Sequence, residues 1–233
     1  MCGKFTAMMT WAEYVALTGV GIEDSGLTID PVKELATFTP MASAPILHLG
    51  PVRQRRITPM RWGWFDPRAA NPLRSFKHLH SRAEAIDTTP TWMEAFQEHR
   101  GVIFAKQFNI GEELPNGKTK QWVCSRADGA PVAMAVIFSE WETVSGPLRA
   151  FAMVTTASCP PLAAKDERMP ALLCDDAEVA TWLGEMGAAN AELKALLRPY
   201  SGSLVMREQE PSKKDSAPTK PKKSKPEPQP RLF

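Results

Sequence analysis

Between residues 102 and 157 the chain alternates short apolar runs with turn dipeptides, and this pattern constrains the fold more than any other. "VIFAKQFNIG" reads as a strand in which Val102, Phe104, Lys106, Phe108 and Ile110 alternate with Ile103, Ala105, Gln107 and Asn109. Asn116-Gly117 and Asp128-Gly129 are hairpin-type turns that bracket the strand "QWVCSR". "PVAMAVIF" and "FAMVTTAS" follow as further strands. Consecutive strands joined this closely pair antiparallel. The expected class is therefore α+β, not doubly wound α/β.

Upstream, "TWAEYVALTG" reads as a short helix opened by a Thr10–Glu13 capping box, with Trp11, Tyr14 and Val15 on one face. "PILHLGPVRQRRITP" reads as two strands joined at Gly50-Pro51. "TPTWMEAFQEHRG" reads as a helix with Trp92 and Phe96 four apart and Gly101 at its end. Downstream, helices are expected from about Asp175 to Met186 and from Asn190 to Arg198, with "SLVMRE" as a closing strand.

A hydrophobic content of 43% over 233 residues suffices for one large domain, expected over residues 1–206. Residues 207–233 are rich in Lys, Pro and Ser and cannot bury enough surface to offset ordering, so they are expected to be a disordered tail. The net charge of +2 divides unevenly, the tail carrying about +4 and the body about −2. Any nucleic-acid contact on the body must then be a local basic patch. No apolar run approaches the ~18 residues of a membrane helix and no signal peptide is evident. The expectation is a cytoplasmic, nucleoid-associated protein without a membrane partner. The cysteines Cys2, Cys124, Cys159 and Cys174 form no CxxC pair, and His78 and His80 are not spaced against them for zinc, so neither a disulfide framework nor a metal or cofactor is expected. Cys124 and Cys174 sit in apolar runs and read as core; Cys2 does not.

The chain opens "MCGKF". Removal of Met1 leaves an α-amine and a thiol on adjacent carbons. Such a 1,2-aminothiol condenses with an aldehyde to an imine, and the thiol then closes a five-membered thiazolidine. The amine, with a pKa near ~7.7–8.0, is partly neutral at cellular pH, whereas the thiol at about 8.5 needs help to ionise.

"MCGKF", "TFTP", "RWGW", "HSRAEA", "RADGAPVAMAVI", "VTTAS" and "DERMPALL" occur in order over residues 1–206. Together they resemble the SRAP family, the SOS-response-associated, abasic-site processing proteins, of which this chain looks like a divergent member. The resemblance implies a curved, barrel-like, mainly antiparallel sheet with peripheral helices and a groove for single-stranded DNA. It also implies that Cys2 traps the ring-opened aldehyde of an abasic site as a thiazolidine crosslink. By the same resemblance Arg82 binds phosphate beside the lesion, Lys4 stands where the family has an arginine, Pro40 lies in the groove, and Arg168 of "DERMP" is a DNA contact. From the residues themselves, Lys4, Arg82 and the run Arg53, Arg55 and Arg56 offer phosphate contacts, and Trp62, Trp64 and Phe65 offer either stacking for unpaired bases or core bulk.

Three positions depart from the family pattern. His80 replaces an asparagine, Ile110 falls where ungapped pairing puts a glutamate that assists the chemistry, and Asp166 replaces a proton-shuttling histidine. Glu112 or Glu113 could stand in for the glutamate only after a local shift. His80 could supply the proton transfer lost at Asp166, since imidazole titrates near neutral pH. Two further readings are a non-covalent single-strand DNA-binding module with a decayed site, and a peptidase acting on itself after Met1 or on other proteins. Last, the chain ends "QPRLF", in which Gln229, Leu232 and Phe233 resemble the short peptide by which bacterial replication and repair proteins bind the sliding clamp.

Overall fold

The computed structural model describes residues 2–21, 37–69, 78–144 and 146–209. In chain order the elements are β1 (Lys4–Thr6), α1 (Trp11–Thr18), β2 (Thr37–Phe38), β3 (Ser43–Leu49), β4 (Arg55–Trp62), β5 (His80–Arg82), α2 (Met93–Glu98), β6 (Arg100–Ala105), β7 (Gln107–Glu113), β8 (Thr119–Arg126), β9 (Val132–Thr143), β10 (Gly146–Ala157), β11 (Arg168–Pro170), β12 (Leu172–Leu173), α3 (Asp176–Leu183), α4 (Asn190–Leu196) and β13 (Leu204–Glu208).

Five of these strands close on themselves. β3 pairs with β4, β4 with β10, β10 with β9, β9 with β6 and β6 with β3, forming a small barrel. Every seam is antiparallel except β4–β10, where Arg61 lies opposite Ala150 and Trp62 opposite Phe151 in parallel. β5 also runs parallel to β10, with Met153 opposite His80 and Thr155 opposite Arg82. Short turns dictate the antiparallel hairpins. The two parallel contacts join segments distant in sequence, which local pattern does not register. A second, open sheet in the order β13-β8-β7-β1-β2 is antiparallel throughout.

The segment "VIFAKQFNIG", read as one strand, is two. The chain breaks at Lys106, whose backbone N–H donates to Thr6 O (3.1 Å) and Ala7 O (3.0 Å), and passes from barrel strand β6 to β7 of the open sheet. Gly101, expected to end a helix, instead lies inside β6. A Cβ there would come within 2.6 Å of Ile46 Cγ2 and 3.0 Å of Leu47 O, so the barrel closes at this point because the side chain is absent. "SLVMRE" forms the last strand, β13, and completes one edge of the open sheet by pairing with β8, taking no part in the barrel. The domain also runs past its expected limit at residue 206. Arg207 pairs with Val123, Glu208 with Trp122, and the Gln209 N–H donates to Gln121 O at 2.9 Å. The terminal motif Gln229, Leu232 and Phe233 lies outside the described residues.

Alternation along the barrel strands divides the core in two. Leu47, Ile57, Val102, Ala135 and Val154 pack with Tyr14, Phe96 and Trp182 of the helices. Ile46, Met60, Trp62, Ile103, Met134 and Phe151 pack with Phe5, Phe108 and Ile110 of the open sheet. Helix α1 begins at the expected cap, Glu13 N–H donating to Thr10 Oγ (3.3 Å) and Thr10 N–H to the Glu13 carboxylate (2.8 Å), and ends at Gly19 with φ 71°. The Tyr14 hydroxyl fastens it to β3 by donating to Pro45 O at 3.2 Å.

Candidate functional site around Cys2

Cys2 lies just ahead of β1, which the open sheet holds between β7 and β2. It is fully buried in the cluster shared by that sheet and the barrel. Its thiol donates to Lys4 O at 3.3 Å. Burial pushes the thiol pKa up to about 11, against the partial help of the Lys4 and Asn109 backbone and with a further rise from the charge on Asp166. Cys2 in this environment is a thiol, not a standing thiolate.

His80 reaches the same residue from β5. Its Nε2 lies 2.7 Å from the Cys2 carbonyl oxygen. A carbonyl can only accept, so Nε2 carries the hydrogen. Burial holds the imidazole pKa below its ordinary value, although the Cys2 hydrogen bond and the Asp166 charge act in the opposite direction. At neutral pH the ring is therefore neutral and Nδ1 is a bare acceptor. Trp62 supports the ring: it meets His80 edge-on at 6.0 Å, stacks on Phe151 at 6.0 Å and donates its indole N–H to Leu79 O at 3.0 Å.

Asp166 stands just ahead of β11 and its Oδ1 accepts the Arg168 N–H at 3.1 Å. Its charge acts on both Cys2 and His80. The fold thus brings His80 against Cys2, 78 positions away in sequence, with Asp166 near enough for its charge to act on both.

Other expected site residues fall elsewhere or play other parts. Trp62, Trp64 and Phe65 are all buried, so none presents a face to an unpaired base. Arg168 is buried too. Its guanidinium donates to both carboxylate oxygens of Glu84 (2.5 and 2.9 Å) and to Thr155 O (2.6 Å), which makes it a tie between β11 and the turn after β5 and not a phosphate contact. Glu112 accepts from Trp122 Nε1 (2.8 Å) and pairs with Lys165 (3.1 Å), hydrogen bonds that hold its carboxyl below the usual range. It is part of a rim pair and does not take the place of the buried Ile110. Arg55 is engaged by Glu185 and Asp176, and Arg53 by Gly184 O. Arg82 is exposed on β5, two residues from His80 and on the same side of the strand, and Pro40 is half-buried in the turn after β2. Cys174, read as core, is only half-buried, with Arg198 3.8 Å from its sulfur.

The sequence reading missed two residues. Asn109 on β7 is buried opposite Lys4, and Gln209 follows β13. The Gln209 side-chain oxygen accepts from Lys4 Nζ and from Asn109 Nδ2, each at 2.8 Å. Asn109 was legible as a polar residue within an apolar strand. Nothing local marked Gln209, which sits where the composition turns Lys- and Pro-rich.

The model of one protein family, SOS response associated peptidase (SRAP), matches residues 1–211. A curated relative, the abasic site processing protein YedK of Escherichia coli K12, is 27% identical over 183 residues, which span 76% of this chain and 77% of that protein. Among solved structures, a Bacteroides thetaiotaomicron protein superimposes with a TM-score of 0.75 at 18% identity, covering 89% of this chain and 91% of its own. A Bordetella bronchiseptica protein does so with a TM-score of 0.71 at 20% identity, covering 90% and 100%. The chain belongs to the SRAP family.

Proposed function

We propose that this protein engages abasic sites in single-stranded DNA, as part of the response to DNA damage, and traps them covalently through Cys2. The observation that carries this reading is the 2.7 Å hydrogen bond from His80 Nε2 to the Cys2 carbonyl, with the Asp166 charge felt by both residues. Family membership and the name of the Escherichia coli relative support it.

Met1 is first removed by hydrolysis of its peptide bond, freeing the Cys2 α-amine. The amine adds to the aldehyde of the ring-opened sugar and loses water, giving an imine. The sulfur then bonds to the imine carbon while the thiol proton leaves and the imine nitrogen gains one. His80, held 2.7 Å from the Cys2 carbonyl, is the neighbouring base that takes up the thiol proton as the carbon–sulfur bond forms. Lys4 and Arg82 meet the phosphates on either side. In the tail, Gln229, Leu232 and Phe233 bind the sliding clamp and tether the domain near replicating DNA, raising its local concentration.

The test is incubation of purified protein with a single-stranded oligonucleotide bearing one abasic site, after mass spectrometry of the N-terminus. A denaturation-resistant adduct is expected from protein lacking Met1, none from Cys2→Ala, and a rate about 10²-fold lower from His80→Ala. Equal affinity for intact and abasic strands with no adduct would instead favour a non-covalent module, a reading to which the full burial of Cys2 lends support.

A further inference from the structure

The Gln209 side-chain oxygen sits between two donors, the Lys4 ammonium and the Asn109 amide, 2.8 Å from each. Asn109 is 2% exposed, and Gln209 is the residue that receives its side-chain N–H. One cation and one amide converging on a single oxygen is the arrangement that holds a phosphate oxygen, and a charged oxygen binds such a pair more strongly than a neutral amide does. Neither donor is otherwise tied to an acid: no ion pair of Lys4 occurs among the described residues. Lys4 is also two residues from Cys2, whose thiol donates to the Lys4 backbone carbonyl.

We propose that Lys4 Nζ and Asn109 Nδ2 form a two-donor site for a backbone phosphate oxygen of single-stranded nucleic acid, and that Gln209 is a displaceable plug occupying that site in the free protein. The inference rests on the reading above that Lys4 faces DNA. Gln209 is suited to leave. It follows the last strand pairing of the edge strand β13, so its side chain swings away without breaking the sheet, whereas Lys4 and Asn109 are held in register on β1 and β7. When it leaves, the buried Asn109 amide needs a new acceptor, because an unpartnered buried donor is unfavourable. The entering phosphate oxygen supplies it. Binding therefore exchanges one acceptor for a better one and requires no rearrangement of the barrel.

The experiment measures binding of a fifteen-nucleotide thymidine strand, which has no abasic site, to the full-length protein and its variants by fluorescence anisotropy over a range of salt. Gln209→Ala removes the plug and leaves both donors, so binding should tighten on the order of threefold to tenfold. Gln209→Glu pairs a carboxylate with Lys4 and should weaken binding by a similar factor. Asn109→Ala should weaken it, and Lys4→Ala should weaken it and lower the salt slope by about 0.7. If Gln209→Ala binds as the wild type does or less tightly, Gln209 holds Lys4 in place for DNA and the plug is overturned. The covalent reading is scored separately, by adduct formation on the abasic strand: no adduct with tighter binding by Gln209→Ala leaves the plug standing and removes the trap. Absence of strand binding by the wild type and every variant overturns the plug, whatever the adduct assay on the abasic strand shows.

Discussion

A buried imidazole on β3 couples the stability of this fold to pH. His48 is 6% exposed and lies between Thr58 Oγ (2.8 Å) and Leu49 O (3.0 Å), with Phe138 edge-on at 5.3 Å. Burial draws its pKa down to about 4 from an ordinary 6.5. Between those values the unfolded chain binds a proton that the folded chain refuses. The stability contributed by neutral His48 is thus complete above pH 6.5 and is lost as the pH falls toward 4, by roughly 3 kcal/mol in all. His80 shifts in the same direction and adds to the same slope. Urea unfolding at pH 7 and pH 4.5 should show a wild-type loss that His48→Gln reduces by about 2 kcal/mol. An identical loss in both proteins would place the sensitivity elsewhere. Asp166 illustrates the same principle at the site: one carboxylate biases two neighbours oppositely in function, making the thiol harder to ionise and the imidazole easier to protonate.

Among the elements, β6 decides whether the barrel closes. It is hydrogen-bonded to β3 on one side and β9 on the other, and at Gly101 both neighbours crowd the place of a Cβ, with Leu47 O 3.0 Å and Val136 Cγ2 3.2 Å from it. Gly117 differs: it needs its positive φ of 75° for the β7–β8 turn but has nothing within 4 Å. Gly101→Ala should lower stability by about 1–3 kcal/mol through overpacking, seen as a lower urea midpoint with an unchanged slope. A midpoint equal to wild type would mean that the β3–β6 seam yields. The break at Lys106 belongs to this scale as well. It hands the chain from barrel to open sheet, which sets Phe108 and Ile110 against the barrel core and turns Asn109 toward Lys4.

For the whole molecule, the end of the domain and the start of the site coincide. β13 closes the edge of the open sheet, and the residue after it reaches β1. Ending the chain after Met206 removes the Arg207–Val123 and Glu208–Trp122 pairings, the Lys120–Glu208 ion pair at 2.7 Å and the Gln209 contacts. Ending it after Gln209 keeps them all. The shorter chain should be less stable than the longer by about 1–3 kcal/mol, most of it from the Asn109 amide left without an acceptor and the lost strand hydrogen bonds. Thermal unfolding of the two truncated chains side by side is the measurement, and equal midpoints would show that the edge contributes nothing.

The sequence by itself determined what depends on near neighbours. The β7–β8 hairpin turn at Gly117 and the Thr10–Glu13 cap are local matters, and each forms where its residues indicate; the turn at Gly129 forms too, but it is no hairpin, because it carries the chain from β8 of the open sheet to β9 of the barrel. The ordered motifs also identified the family and, through it, the barrel-like sheet. Tertiary structure decided the rest. Whether Trp62 stacks on a base or fills the core, whether Arg168 meets a phosphate or Glu84, and whether a strand continues past Lys106 all turn on what lies opposite in space. The joining of Gln209 to Lys4 across 205 positions is the plainest case. A hydrogen bond between segments that far apart leaves no periodicity in either, because its geometry is set by the sheet that brings them together and not by the residues beside them.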